Sequence, residues 1–150
     1  MPIDSNDVSD RVGEDSVRLV GKLVLAAGSV AFVGYLLTLL PGIDRIVPQT
    51  PVTFAAVLGA IATAVIVVLV LYAAPRIALL VEMGVDGPRE VVEEIAAVAQ
   101  WTVVLAAILI AHRGFAALVV PLLDGDAWAY DVGFLLIAFP VVGFVAVHLY

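Results

Sequence analysis

Long apolar runs recur four times along the 150-residue chain, and short stretches that hold most of its charges and prolines separate them. The runs cover residues 19–40, 51–74, 96–120 and 127–149. A helix of about 20 apolar residues crosses the ~30 Å hydrocarbon core of a bilayer. The pattern therefore predicts an all-α protein, an integral membrane four-helix bundle that consists of two tandem helical hairpins in parallel orientation.

The polar stretches divide the chain into four segments. Residues 1–18 form an acidic N-terminal segment and residues 19–74 a first transmembrane hairpin, while residues 75–95 form a connection and residues 96–150 a second transmembrane hairpin. We expect the acidic segment and the connection to lie in the cytoplasm, on the same side of the membrane.

The sequence Gly87-Pro88, followed by Glu90, predicts the start of the third helix. Proline suits the first turn of a helix, because its missing N–H has no intrahelical partner there. Carboxylates near that end interact favourably with the helix dipole. We therefore expect the third helix to begin outside the membrane and to run into it.

The distribution of arginine and lysine predicts how the chain is oriented. Five basic residues lie in the N-terminal segment, at the start of the first span and in the middle connection, against two at the other ends of the spans. Basic segments next to membrane spans stay preferentially in the cytoplasm. The expected location is the cell membrane, multi-pass, with both termini cytoplasmic. The five residues are Arg11, Arg18, Lys22, Arg76 and Arg89, and the two are Arg45 and Arg113.

The composition excludes several classes of function. Hydrophobic residues make up 63% of the chain and charged residues 14%, whereas a soluble domain is about half apolar and a quarter charged. The net charge of −7 argues against a nucleic-acid partner. The chain contains no cysteine, and its residues form no metal, phosphate or nucleophile motif. We expect no catalytic residue, no metal, no cofactor and no enzymatic activity.

Acidic residues far outnumber lysine in this chain. Lysine occurs once, at Lys22, against six arginines and fourteen acidic residues. This usage resembles that of haloarchaeal proteins, whose carboxylates hold water and counterions in strong salt. The resemblance implies a small four-helix membrane protein from such a habitat, and it implies no particular function.

Residues 69–123 are similar to the membrane hairpins of small-conductance mechanosensitive channels. In this stretch a span ends in a basic turn, a short acidic segment follows, and the next span closes near Gly114-Phe115. The resemblance covers about a third of the chain and implies a channel-like hairpin. The glycine–alanine pore helix and the soluble domain of that family are missing from the sequence.

A shift of 80 residues aligns residues 11–70 with residues 91–150 without a gap and gives 15 identities in 60 positions. The alignment predicts a duplicated hairpin with a pseudo-twofold axis along the membrane normal. The alternative is a chance match within a chain rich in valine, alanine and leucine. The matches that weigh most pair Gly34 with Gly114, Pro41 with Pro121, and Asp44 with Asp124.

Small residues at helical spacing mark two candidate packing faces. Small side chains let membrane helices approach closely, which matters because the hydrophobic effect does not drive helices together inside lipid. The faces serve packing within the bundle or, as the alternative, a homo-oligomer. One face consists of Ala55, Gly59 and Thr63, and the other of Ala107, Ala111 and Gly114.

The third span carries an adjacent histidine and arginine, His112-Arg113. Arg113 precedes Pro121 by eight residues, which places it ~12 Å inside the outer end of the helix. An unpaired arginine inside a membrane is costly, so we expect an ion pair with Asp131 of the fourth span, with His112 beside it. As the alternative, these three residues form a relay for protons or anions.

Two functions remain open from the sequence. The first is a non-catalytic membrane protein, an accessory or assembly subunit that binds other membrane helices. The second is a small oligomeric channel or transporter with a polar site at His112, Arg113 and Asp131. The expected partners are the lipid bilayer and either another membrane protein or further copies of this chain.

Overall fold

Helices make up almost all of the computed structural model, which describes residues 5–148 and the side chains of residues 13–148. No strand is present within this part of the chain apart from one isolated bridge between Ile46 and Thr53. Residues 1–4 and the predicted end of the fourth span at residue 149 lie outside the described residues. The helices are α1 (Ser5–Thr38), α2 (Phe54–Gly84), α3 (Arg89–Val119) and α4 (Ala127–His148), with a 3₁₀ turn at Val120–Leu123.

The predicted four-helix pattern is confirmed, and so is the helix start at residues 87–90. Pro88 is the residue that directly precedes α3, and Glu90 lies in its first turn. At the start of α2, the Thr53 side chain accepts a hydrogen bond from the backbone N–H of Ala56. This contact satisfies one of the free amide groups at a helix N-terminus.

The helix α2 continues well beyond the predicted end of the second span. It passes through Pro75 and ends at Gly84, so the connection between α2 and α3 is limited to Val85–Pro88. Proline within a helix removes one backbone hydrogen bond, but tertiary packing compensates here, since Ala73, Ala74 and Ala78 on either side of it are all buried. The apolar run predicted from the sequence ends at residue 74, before this proline, whereas the helix itself continues for ten more residues.

The four helices form a row in which each contacts only its neighbours in the sequence, so that α2 and α3 occupy the middle. Within residues 5–148, α1 and α4 do not contact each other, and the row is therefore open rather than closed into a ring of four. Neighbouring helices run antiparallel. Gly13 near the start of α1 lies against Met83 near the end of α2, while Gly34 farther along α1 lies against Ala62.

The distribution of large and small side chains is opposite to that of a soluble protein. Most buried apolar residues are alanines, whereas large side chains such as Phe32, Leu136 and Phe139 are exposed. All four helices are long and apolar enough to cross a membrane. A soluble protein would bury its large apolar side chains, so this surface is suited to contact with lipid or with other apolar helices.

Candidate functional site

Two polar side chains of the apolar segments meet at the interface of α3 and α4. His112 Nε2 lies 2.9 Å from Asp131 Oδ1, which is the distance of a hydrogen bond or, with a protonated imidazole, of an ion pair. The His112 side chain is 35% exposed and that of Asp131 is 69% exposed. The pair thus links the two helices while remaining accessible from outside.

Aromatic side chains of α4 hold the His112 ring in place. The buried Tyr130 donates a hydrogen bond from its hydroxyl to the backbone carbonyl of His112. Its ring stacks on the imidazole at a centroid distance of 5.2 Å, and Phe134 meets the imidazole edge-on at 5.1 Å. With Nε2 bonded to Asp131, the imidazole is therefore fixed by a hydrogen bond and by two aromatic neighbours.

The expected ion pair between Arg113 and Asp131 does not form. Among the residues whose side chains are described, Arg113 takes part in no salt bridge, and His112 is the partner of Asp131. Successive residues of a helix point about 100° apart, so His112 and Arg113 cannot both face α4. The Arg113 side chain is exposed.

The polar pair lies near the start of α4. Asp131 comes four residues after Ala127, the first residue of α4, a rise of ~6 Å. Because His112 bonds to it directly, the Arg113 backbone lies at a similar level. A long arginine side chain can extend its charge toward the end of the helices over such a distance.

A groove of about 280 Å³ opens beside the polar pair, between α3 and α4. One end offers the imidazole and the carboxylate, and the remaining lining is apolar. No buried polar side-chain atom in the described part of the chain lacks a hydrogen-bond partner, so the second ring nitrogen of His112, which has none there, is not fully buried. The lining residues are Ile108, Leu109, His112, Asp131, Phe134, Leu135 and Ala138.

Of the packing residues predicted from the sequence, the structure brings Thr63 and Gly114 together. A Cβ atom on Gly114 would lie 2.6 Å from Thr63 Cβ and closer still to the rest of that side chain. The Thr63 hydroxyl donates a hydrogen bond to the Gly59 carbonyl, 2.8 Å away, and so needs no partner on α3. Ala107 and Ala111, on the same helix as Gly114, are buried.

The predicted face on α2 is rotated relative to the buried one. Ala55 is half-buried and Gly59 is exposed with no atom within 4 Å of its Cβ position, whereas Ala56, Ala60 and Thr63 are buried. Four residues advance a helix by about 400°, so a strict four-residue repeat turns away from a flat interface. Alternating steps of four and three residues stay on it, which is the spacing observed.

A second contact between α3 and α4 lies at their opposite end. Trp101 packs on Phe144 at a centroid distance of 4.8 Å, and Phe144 stacks on His148 at 4.0 Å. The His148 Nδ1–H donates to the Phe144 carbonyl, and the ring borders a cavity shared with acidic side chains such as Glu90 and Glu94. Within the described residues, no group of three or more histidine and acidic side chains is arranged to hold a metal ion.

Sequence reasoning missed Tyr130 and Phe134, although their spacing carries a signal. They are four residues apart on α4, and residues at that spacing share one helix face. Asp131, which follows Tyr130 directly, lies beside that face. Comparisons with protein-family models, with curated proteins and with solved structures find no significant match to this chain.

Proposed function

We propose that this chain is a non-catalytic, multi-pass protein of the cell membrane that serves as an accessory or assembly subunit and binds other membrane helices. The observation that supports this best is the open row of helices, in which alanines are buried and large apolar side chains cover the outside. In this arrangement α1 and α4 each contact one helix only, so both have faces free for a partner.

The outer face of α1 is the surface that we assign to the partner. None of the most apolar part of this helix is buried, against 11% for α2 and for α4. Gly21 and Gly28 lie one heptad apart on α1, and neither has any atom within 4 Å of its Cβ position. Small residues at such a spacing let a second membrane helix approach closely.

Co-purification tests this assignment. The tagged protein, expressed at its native level and extracted in mild detergent at high salt, is expected to bring down a larger membrane protein. Gly28→Leu should abolish this association, because the added side chain holds the partner helix away. Gly143→Leu is the matched control, since Gly143 on α4 also has an open Cβ position. Purification of a monomer alone, or an unchanged complex with Gly28→Leu, would contradict the proposal.

The orientation of the chain in the membrane needs a separate test. Because the natural chain lacks cysteine, single cysteines can be introduced one at a time as labelling sites. In the proposed topology Gly87 is cytoplasmic and Gly125 is external. A membrane-impermeant maleimide applied to intact cells should label Gly125→Cys and leave Gly87→Cys unlabelled. The reverse pattern would place both termini outside.

A small oligomeric channel or transporter is the second candidate. The observation that favours it is the accessible His112–Asp131 pair, with the exposed Arg113 beside it. Toward the other end of α3 and α4, however, the contact between these helices is the apolar pair Trp101 and Phe144. Ion flux in proteoliposomes that is lost in Arg113→Ala would favour this candidate. A homo-oligomer that dissociates in Gly59→Leu would show that copies of this chain assemble through the Gly59 face of α2.

A further inference from the structure

The groove between α3 and α4 combines a hydrogen-bonding end with an apolar slot, and we propose that it binds the head of a prenylated quinone or quinol. The proposal goes beyond the accessory role and depends on the membrane insertion proposed above, because such ligands reach the protein from the bilayer. It concerns binding alone.

The polar end of the groove disfavours an anionic ligand head. An anionic head would meet the carboxylate of Asp131, which the His112 imidazole engages through one oxygen only. Lipids with phosphate heads are therefore poor occupants, whereas an uncharged head can form a hydrogen bond to the imidazole without meeting a like charge.

The second ring nitrogen of His112 suits both redox forms of a quinone. With Nε2 donating to Asp131, a neutral imidazole leaves Nδ1 as an acceptor for a quinol hydroxyl. A protonated imidazole donates from both nitrogens, so Nδ1–H can then bond to a quinone carbonyl. One residue, held in one orientation by Tyr130 and Phe134, thus recognises either form through the same atom.

The remaining lining matches a flat ring that carries an apolar tail. The Phe134 side chain lines the groove, and its ring offers a surface for aromatic packing. The volume of about 280 Å³ lies near the lower end of the range for ligand pockets, enough for a head and the start of a tail. Ala138 leaves the slot open at the far side from the polar pair, and Leu135 next to Phe134 is exposed toward the surroundings.

Photolabelling in proteoliposomes tests the proposal. An azido-quinone probe, cross-linked by light and mapped by mass spectrometry, is expected to label α3 and α4 around His112 and Phe134. Excess decylubiquinone should prevent this labelling, whereas phosphatidylglycerol should not. Labelling spread evenly over all lipid-facing helices, or equal competition by phosphatidylglycerol, would overturn the assignment.

Two variants and a control sharpen the test. His112→Leu is expected to weaken the affinity for decylubiquinone by about tenfold, the effect of losing one well-formed hydrogen bond. Ala138→Leu leaves the polar pair intact and fills the slot, so it should weaken binding even if His112→Leu disturbs folding. His148→Leu, at the opposite end of α4, should bind as the natural protein does.

Resistance of the protein to carbonate extraction, measured on the same proteoliposomes, reports membrane insertion independently of binding. Inserted protein without quinone binding would overturn this inference and leave the accessory role intact. Protein that washes off the vesicles would overturn the membrane insertion on which both proposals depend.

Discussion

The two interfaces of α3 hold their helices together in different ways. Toward α2, the contact consists of small side chains, and Gly114 lies so close to Thr63 that no Cβ atom would fit between them. Toward α4, the contact consists of rings and polar groups, which include His112, Tyr130 and Asp131. The first interface leaves no space at Gly114, while the second leaves a groove beside the His112–Asp131 pair.

This difference shows that, in a chain with few polar residues, one helix interface can provide close packing while another keeps polar groups accessible to a ligand. Close packing of small residues is stabilised by van der Waals contacts, and it requires small side chains because only these let the two helix backbones approach closely. Bulky rings keep helices farther apart and need hydrogen bonds to fix their orientation. Within the apolar segments, His112 and Asp131 supply accessible polar atoms at the interface with α4, whereas the polar groups between α2 and α3, such as Glu82 and Arg89, lie at the end of these helices; a ligand site within the apolar segments is therefore expected beside α4.

Substitution of Gly114 should have the largest effect on stability. In Gly114→Ala the new methyl group collides with Thr63, and overpacking of this kind costs ~1–3 kcal/mol. The free energy of unfolding, measured by titration with SDS from mild detergent micelles, should fall by this amount. The double variant Thr63→Gly/Gly114→Ala should recover part of the loss, because it moves the side chain from one helix to the other.

Gly59→Ala is the matched control for this prediction. Gly59 lies on the same helix as Thr63, but no atom lies within 4 Å of its Cβ position. We therefore expect its stability to stay close to that of the natural protein. A similar loss in both variants would mean that the collision with Thr63 is not what destabilises Gly114→Ala.

The His112–Asp131 pair should contribute less than the close contact on the other side of α3. Polar contacts between membrane helices contribute ~0.6 kcal/mol on average and at most ~1.7 kcal/mol. A double-mutant cycle with His112→Ala and Asp131→Ala should give a coupling energy in this range. The same cycle with Arg113→Ala and Asp131→Ala should give a value near zero, since Arg113 forms no salt bridge among the described side chains. Coupling through Arg113 instead would restore the pair expected from the sequence.

Tyr130→Phe should have a still smaller effect. It removes the hydrogen bond to the His112 carbonyl but keeps the ring that stacks on the imidazole, and the helix itself supplies a donor for this carbonyl. We expect a loss of about 0.5 kcal/mol in the same SDS titration. A loss as large as that of Gly114→Ala would show that hydrogen bonds, rather than packing, dominate both interfaces.

The exposed pair Arg89–Glu93 gives a reference for polar contacts in water. Its side-chain atoms are 2.8 Å apart, but the Arg89 side chain is 92% exposed, and pairs of this kind on a helix contribute about 0.3–0.5 kcal/mol. Glu93→Gln should therefore lower the stability by no more than this, and the difference should vanish in strong salt. A salt-independent loss would show that Arg89 and Glu93 are shielded from solvent.

The length of the apolar runs was sufficient to predict four helices, and the Gly87-Pro88 pair located the start of α3. Sequence could also place His112 and Asp131 near one another, because both depths follow from counting residues along their spans. The choice between His112 and Arg113 could not be made in this way, since it depends on how α3 is rotated about its axis. A rotation of α3 by 100° about its axis replaces the residue that faces α4 by the next residue in the sequence. Hydropathy does not define this rotation when it is nearly uniform around the helix.

The internal alignment illustrates a similar limit. Gly34 and Gly114 correspond to each other in the 80-residue shift, and both lie against α2, at the adjacent residues Ala62 and Thr63. A strict twofold relation between the hairpins would direct Gly114 toward α4 instead. The connection after α1 covers 15 residues and the one after α3 covers 7. The duplication stays a prediction. Both glycines contact α2 because α2 lies in the middle of the row, between α1 and α3.

The α2–α3 tip at Val85–Pro88 lies at the same end of the molecule as the last residue of α4, since His148 borders a cavity with residues of the first turns of α3, from Glu90 to Ala97. Two helices joined by a four-residue connection form a rigid attachment point, into which a soluble helical scaffold can be fused in continuous register. Such a fusion would add an asymmetric mass for particle alignment in electron cryomicroscopy, for which 150 residues in a micelle offer too few features.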